Sequence, residues 1–205
     1  MPRAARIVVP GVPHHVVQRG NRRQATFFCA DDYAAYLEIA AKTFAEARVE
    51  VWAYCLMPNH VHLIATPADQ TGLAAAVGAT HLQYTRMINR REGWSGYLWQ
   101  GRFSSFPMDD DYLVSCVRYV GANPVRSRLV KSAAEWRWSS VRSHVFGAPD
   151  PLLSGRDVIE RLGFSVDHFF DEDAPETDIN AFRRSAANGR PVGGLDWIRR
   201  LEMDR

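Results

Sequence analysis

The sequence predicts an α+β fold: a ferredoxin-like (split βαβ) antiparallel sheet with helices on one face, followed by a C-terminal helical tail. Three observations carry this. Two apolar runs, VEVWAYCLM at 49–57 and HVHLIAT at 60–66, are separated only by Pro58 and Asn59, which predicts an antiparallel hairpin. The stretches 31–48 and 73–92 flank that hairpin and place apolar residues at helical spacing. An apolar segment before the first helix and an aromatic, extended segment after the second complete the order β-α-β-β-α-β.

Each element has a local reason. HHVVQRGNR, from His14, reads as a strand entering a turn at Gly20 and Asn21. DDYAAYLEIAAKTFAEAR begins with acids suited to a helix N-terminus. LAAAVGATHLQYTRMINRRE is the second helix, and GYLWQGRFSSFPM the extended segment that follows. DDDYLVSCVRYVGAN is a third helix, in which Leu113, Cys116, Val117 and Val120 form the core stripe. Pro, Gly and Asp around Gly147–Ser154 mark a boundary, dividing a domain at 1–145 from an accessory tail at 146–205 with short helices at 155–163 and 193–202.

Composition narrows the class. Of 205 residues, 46% are hydrophobic and 23% charged, an ordinary globular balance. No stretch is long and apolar enough to span a bilayer, and the opening MPRAARIVVPGVPHH matches neither a signal peptide nor a membrane anchor, so a cytoplasmic location without a membrane partner is expected. Cys29, Cys55 and Cys116 are scattered and odd in number, which excludes a disulfide framework and a CxxC zinc knuckle; they read as small buried hydrophobes. The net charge of +2 hides an asymmetry, because SVDHFFDEDAPETDIN at 165–180 carries six acids and no Lys or Arg. The remainder of the chain is basic, and its positive charge is almost wholly Arg, suited to bidentate phosphate contacts and so to a nucleic-acid partner. The acidic segment either folds back over that basic face or is a solvated linker.

His60 and His62 stand two apart on one strand, so their rings share a face. Two buried imidazoles need partners, which either a shared metal ion or a hydrogen-bonded structural arrangement supplies. Tyr119 lies off the core stripe of the third helix, with Asn123 one turn further on nearly the same line. Singly, Tyr119 reads rather as a boundary aromatic and Asn123, before Pro124, as a helix stop. Together they suggest one reaction. A divalent ion on His60, His62 and Asn123 polarises a phosphate oxygen, and Tyr119 attacks phosphorus to form a phosphotyrosine. Two imidazoles and an amide suit Mn2+ or Mg2+ with retained waters, and zinc would also bind. His14 and His15 point to opposite strand faces, so at most one faces the site, and neither is expected to bind metal.

HHVVQRGNRRQ, YCLMPNHVHLI, GYLWQGRF, RYVGANPVRSRLV and WRWSS, in this order over roughly residues 6–145, together resemble the HUH single-tyrosine transposases, and most closely the REP-associated tyrosine transposases. The resemblance implies metal-dependent cleavage and rejoining of single-stranded DNA near hairpins of repetitive palindromic elements, through a 5'-phosphotyrosine with a free 3'-hydroxyl as leaving group. It makes His60 and His62 the HUH pair and Tyr119 the nucleophile. Asn123 stands where the wider family often has a Gln; the amide oxygen is kept on a shorter arm. No nucleotide cofactor is implied, and both monomers and homodimers fit. When bound to DNA such a protein is expected at the nucleoid.

The residues and the resemblance agree on DNA contacts. Arg19, Asn21, Arg22 and Arg23 cluster at the end of the first strand, where they could hold phosphates or read base edges. Trp99, Arg102 and Phe103 combine stacking rings with a cation, though Trp99 and Phe103 read equally as core. Arg126, Arg128 and Lys131 follow the third helix and could track the backbone. Two alternatives stay open: a hairpin-binding regulatory protein without strand transfer, and a metal-dependent phosphoesterase using water. The second usually needs two His-containing strand motifs, and one is present.

Overall fold

A computed structural model describes residues 6–154, 158, 163 and 168–203. Strand β1 (His14–Arg19) leads through a short 3-10 turn (Asn21–Arg23) to helix α1 (Ala30–Glu46). The hairpin of β2 (Val49–Met57) and β3 (His60–Pro67) precedes α2 (Gly72–Glu92), β4 (Ser104–Pro107) and α3 (Asp110–Gly121). Beyond these lie the short helices α4 (Asn123–Arg126) and α5 (Val141–Phe146), then α6 (Glu176–Asn188) and α7 (Leu195–Met203). The expected helix at 155–163 lies outside the described residues apart from Val158 and Gly163; that at 193–202 is α7.

The four strands form one antiparallel sheet in the order β2-β3-β1-β4, the ferredoxin-like arrangement. Strand alternation sorts the side chains. Val16, Leu63 and Ala65 face α1 and α2, where Tyr36, Phe44 and Tyr84 fill one core. Asp32 accepts from the backbone N–H of Phe28 and Cys29 at the start of α1 and pairs with Arg91 near the end of α2. One carboxylate thus caps one helix and ties it to the next.

The second face is also covered. Ile64 and Phe106 meet Leu113, Cys116, Val117 and Val120 of α3, all buried as the sequence stripe requires. Burying each such aliphatic side chain contributes on the order of 1.5–3 kcal/mol. Ile179 and Phe182 of α6 join this second core, and Phe170 sits against Gly121 so closely that a Cβ there would stand 2.6 Å from its ring. Helices α3 and α6 thus pack on this second face and leave only a bounded opening, because their apolar stripes need the sheet. Of the cysteines, Cys55 and Cys116 are buried, but Cys29 is exposed because it stands at the N-cap of α1.

The connection around Gly20 positions the end of β1. Gly20 donates its N–H to the Asn59 carbonyl at 2.8 Å, and Thr26 donates to the Pro58 carbonyl at 2.8 Å, which locks the 3-10 turn onto the β2–β3 turn. A Cβ on Gly20 would lie 2.4 Å from the Gln24 carbonyl oxygen, so this close approach requires glycine. No helix among the described residues is long and apolar enough to cross a membrane.

Candidate functional site

Register places the histidines. His62 is paired with Val17 on one side and Cys55 on the other, and His60 with Arg19 and Met57. Both rings point to the α3 face, with centroids 4.8 Å apart and planes at 78°. Neighbouring α3 brings Tyr119 edge-on to His62, 5.7 Å between centroids, and to His15 at 5.9 Å. His15, His62 and Tyr119 border a cavity of about 340 Å³, also lined by Arg19, Arg102 and Arg183, with the His60 ring packed beside His62.

Burial and charge set the state of these groups. His60 is pushed down to about 4 by burial, helped by the cations Arg19 and Arg126. His62 is held well below the ordinary histidine value by burial first and then by His60, His15, Arg126 and Arg19. Both rings are therefore neutral at physiological pH, as ligation by a ring nitrogen requires. Burial raises the Tyr119 phenol, and the Arg126 cation opposes that shift. Arg126 lies over the Tyr119 ring, 4.3 Å from Cζ to centroid.

The hydrogen bonds fix which nitrogen of His60 is available. Asn59 Nδ2 donates to the Arg23 carbonyl at 3.0 Å, which orients its amide so that Oδ1 faces His60 Nδ1 at 2.6 Å. An amide oxygen only accepts, so His60 carries its proton on Nδ1 and presents the lone pair of Nε2. That tautomer fits a divalent ion. Among the described residues no group of three or more His, Cys, Asp and Glu side chains gathers as a metal cluster. An ion on His60 and His62 would draw its other ligands from amide, water or phosphate oxygens.

Asn123 is 6% exposed and begins α4. Its Nδ2 donates to the Tyr119 carbonyl at 3.0 Å, and Arg126 Nη2 donates to the same oxygen at 3.0 Å. Both groups satisfy the C-terminal end of α3, so the helix-ending reading of Asn123 has a concrete form, and its amide oxygen is the atom left for a ligand. Tyr119 itself is 8% exposed, packed on the sheet and 5.5 Å from the Phe182 ring. The expectation that it projects from a face outside the core is corrected, because α6 extends the second core up to it.

The remaining candidates divide. Arg19, Asn21, Arg22 and Arg23 gather at the end of β1, with Arg22 and Arg23 exposed and in the left-handed region at φ 54° and 61°. Arg102 is exposed at the rim of the cavity, and Arg128 and Lys131 are exposed beyond α4. Arg126 is paired with Asp173 of the acidic segment, so one acid of that segment does meet the basic face. Trp99 is 7% exposed with its ring stacked on His81 at 4.3 Å, and Phe103 is half-buried beneath the Arg6 guanidinium. The face of Trp99 is thus taken within the protein.

Sequence reasoning missed four residues. Asn59 was visible only as a turn residue. His15 faces the site, its Nε2 2.9 Å from His62 Nδ1, while His14 clamps the preceding loop through Val12 and Val9. Phe182 and Arg183 of α6 line the cavity, and no local pattern in the tail signals that docking.

The model of the family described as "Transposase IS200 like" matches residues 9–123. A Haemophilus influenzae protein described as a REP-associated tyrosine transposase is 27% identical over 126 residues, covering 52% of this chain and 72% of that protein. A solved structure of a REP-associated tyrosine transposase bound to a REP hairpin superposes with a TM-score of 0.55 at 21% identity, covering 77% of this chain and 93% of the other, and so shares the fold.

Proposed function

This chain belongs to the IS200-like transposase family, and from that premise we propose that it cleaves and rejoins single-stranded DNA beside hairpins of repetitive palindromic sequence, with Tyr119 as nucleophile. The observation that carries this reading is the meeting of His62 and Tyr119 at one cavity rimmed by Arg19, Arg102 and Arg183, with the His60 ring against that of His62. Two neutral imidazoles and a phenol under arginine cations suit phosphoryl transfer, in which positioning and charge stabilisation do most of the catalysis. The relatives support a hairpin as the DNA partner, since one is described as bound to a REP hairpin.

In this reading Tyr119 Oη attacks the phosphorus of the scissile link. The new P–O bond joins the 5' end to the protein, the P–O3' bond breaks, the phenol proton passes to solvent and the 3'-oxygen leaves as a hydroxyl after taking up a proton. Rejoining reverses these changes with a 3'-hydroxyl as attacking group, so the bond energy is conserved. His60 and His62, with the Asn123 amide oxygen, would hold Mg2+ or Mn2+, which when bound supplies Lewis-acid polarisation of a phosphate oxygen. Arg126 over the Tyr119 ring stabilises negative charge growing on the phenol. Arg19, Asn21, Arg22 and Arg23 hold the hairpin, Arg102 and Phe103 guide the single strand towards the cavity with Trp99 supporting them from the core, and Arg128 and Lys131 follow the backbone. Residues 1–145 carry the chemistry; 146–205 form the accessory part that walls it.

The test is incubation with Mn2+ and labelled single-stranded hairpins drawn from repeats flanking the gene, followed by denaturing gels. A DNA–protein adduct that disappears with chelator and with Tyr119→Phe supports the proposal. Hairpin binding without an adduct favours the regulatory reading, and cleavage that survives Tyr119→Phe favours a water-driven phosphoesterase.

A further inference from the structure

The two histidines of the pair are oriented by different means. His60 is held by an amide that can only accept, and that amide is itself fixed by the Arg23 carbonyl. His62 has no such anchor. Its Nδ1 meets Nε2 of His15 at 2.9 Å, a second imidazole that can donate or accept. The two rings are nearly parallel, at 4°, and both are buried, His15 at 1% exposure and His62 at 4%. On its other side His15 Nδ1 is buried with no hydrogen-bond partner among the described residues. Nothing there dictates the His15 tautomer, so the pair is free to take whichever arrangement His62 demands.

We infer that His15 is the positioning residue for His62: with a divalent ion on the site, His15 Nε2 accepts a hydrogen bond from His62 Nδ1–H and so aims the His62 Nε2 lone pair at the ion. This inference rests on the reading of His60 and His62 as metal ligands. A ring nitrogen can ligate only with its lone pair free, so the His62 proton must stand on Nδ1, and His15 is the group placed to receive it. The choice of an imidazole also has an electrostatic reason. A carboxylate at this position would orient His62 equally well, but it would add a buried negative charge beside a site rimmed by Arg19, Arg102 and Arg183, weakening its attraction for phosphate. A neutral imidazole orients the ligand without that charge. Phe106, edge-on to His15 at 5.1 Å, and Tyr119 at 5.9 Å hold the ring in place.

The test measures Mn2+ binding by calorimetry on the full chain without DNA, beside nitrogen NMR of the histidine rings in the Mg2+-loaded protein. His60→Ala and His62→Ala test the underlying site: loss of binding in both, with binding by the unaltered chain, establishes the ligand pair separately. Given that, His15→Phe, which keeps a ring but no acceptor, is expected to weaken Mn2+ binding about 10- to 100-fold. His15→Gln, which restores an accepting oxygen, is expected to recover most of that loss. In the unaltered loaded protein the His62 proton is expected on Nδ1, coupled across the hydrogen bond to His15 Nε2. This last measurement does not depend on the folding of any variant. Unchanged affinity in a folded His15→Phe protein, or a loaded His62 with its proton on Nε2, would overturn the inference while leaving the His60→Ala and His62→Ala results standing. Absence of Mn2+ binding by the unaltered chain, or binding untouched by His60→Ala or by His62→Ala, would overturn the site reading and the inference together.

Discussion

Replacing Phe182 by alanine asks whether α6 belongs to the body that holds Tyr119. Phe182 is 1% exposed and its ring lies 5.5 Å from that of Tyr119, 6.2 Å from that of Phe106 and 6.2 Å from that of Tyr112. Deleting a buried ring removes its transfer free energy and leaves a cavity, about 3–5 kcal/mol for Phe→Ala. In a chain of this size about 1 kcal/mol corresponds to roughly 2–4 °C, so the melting temperature should fall by roughly 6–20 °C. Urea denaturation followed by far-UV circular dichroism, beside calorimetry, measures both quantities. Leu195→Ala is the control, because Leu195 is 74% exposed and its removal should cost little. A loss below about 1 kcal/mol for Phe182→Ala would refute the docking of α6 on α3, since no well-packed phenylalanine is removed so cheaply.

Other outcomes follow from the charges. Burial holds His14 and His60 down to about 4 and His15 and His81 down to about 3, so between pH 6.5 and those values the unfolded chain binds more protons than the folded one. Stability of the metal-free protein should therefore drop as pH falls from about 6.5 towards 4, by about 1.4 kcal/mol per histidine for each pH unit; a melting temperature that stays flat from pH 7 to 5 would contradict this. Asp173→Asn releases Arg126 from a partly exposed pair, so stability should change by less than about 1 kcal/mol while affinity for a hairpin, read by fluorescence anisotropy, rises; weaker binding would count against Arg126 as a DNA contact. Replacing Arg22 and Arg23 by alanine should lower hairpin affinity and flatten its salt dependence by about 0.7–0.9 per lost phosphate contact, whereas an unchanged slope would remove them from the interface.

Most of the sheet and its helices could be read directly from the chain, because period-two and helical patterns are local. The β2–β3 hairpin was bounded by Pro58 and Asn59, and the stripe Leu113, Cys116, Val117 and Val120 identified the buried side of α3. The shared face of His60 and His62 followed from strand alternation alone. What lay beyond reach depends on tertiary packing. The burial of Tyr119 is decided by Phe182, 63 residues away in α6, and the contact of Trp99 with His81 by the path of the segment before β4. His15 illustrates the boundary between the two. Alternation allowed only one of His14 and His15 to face the site, but the pairing of Val17 with His62 was needed to show that it is His15 and that its partner is His62.

The central claim is that Tyr119 becomes joined to DNA, and mapping the attachment site tests it most directly. The protein would be incubated with Mn2+ and a single-stranded hairpin substrate, digested with nuclease and protease, and its peptides sequenced by mass spectrometry. A 5'-linked nucleotide on Tyr119, with no adduct on Tyr112 or on any serine, is the expected result. A nucleotide on another residue, or cleaved DNA with no modified peptide, would contradict it.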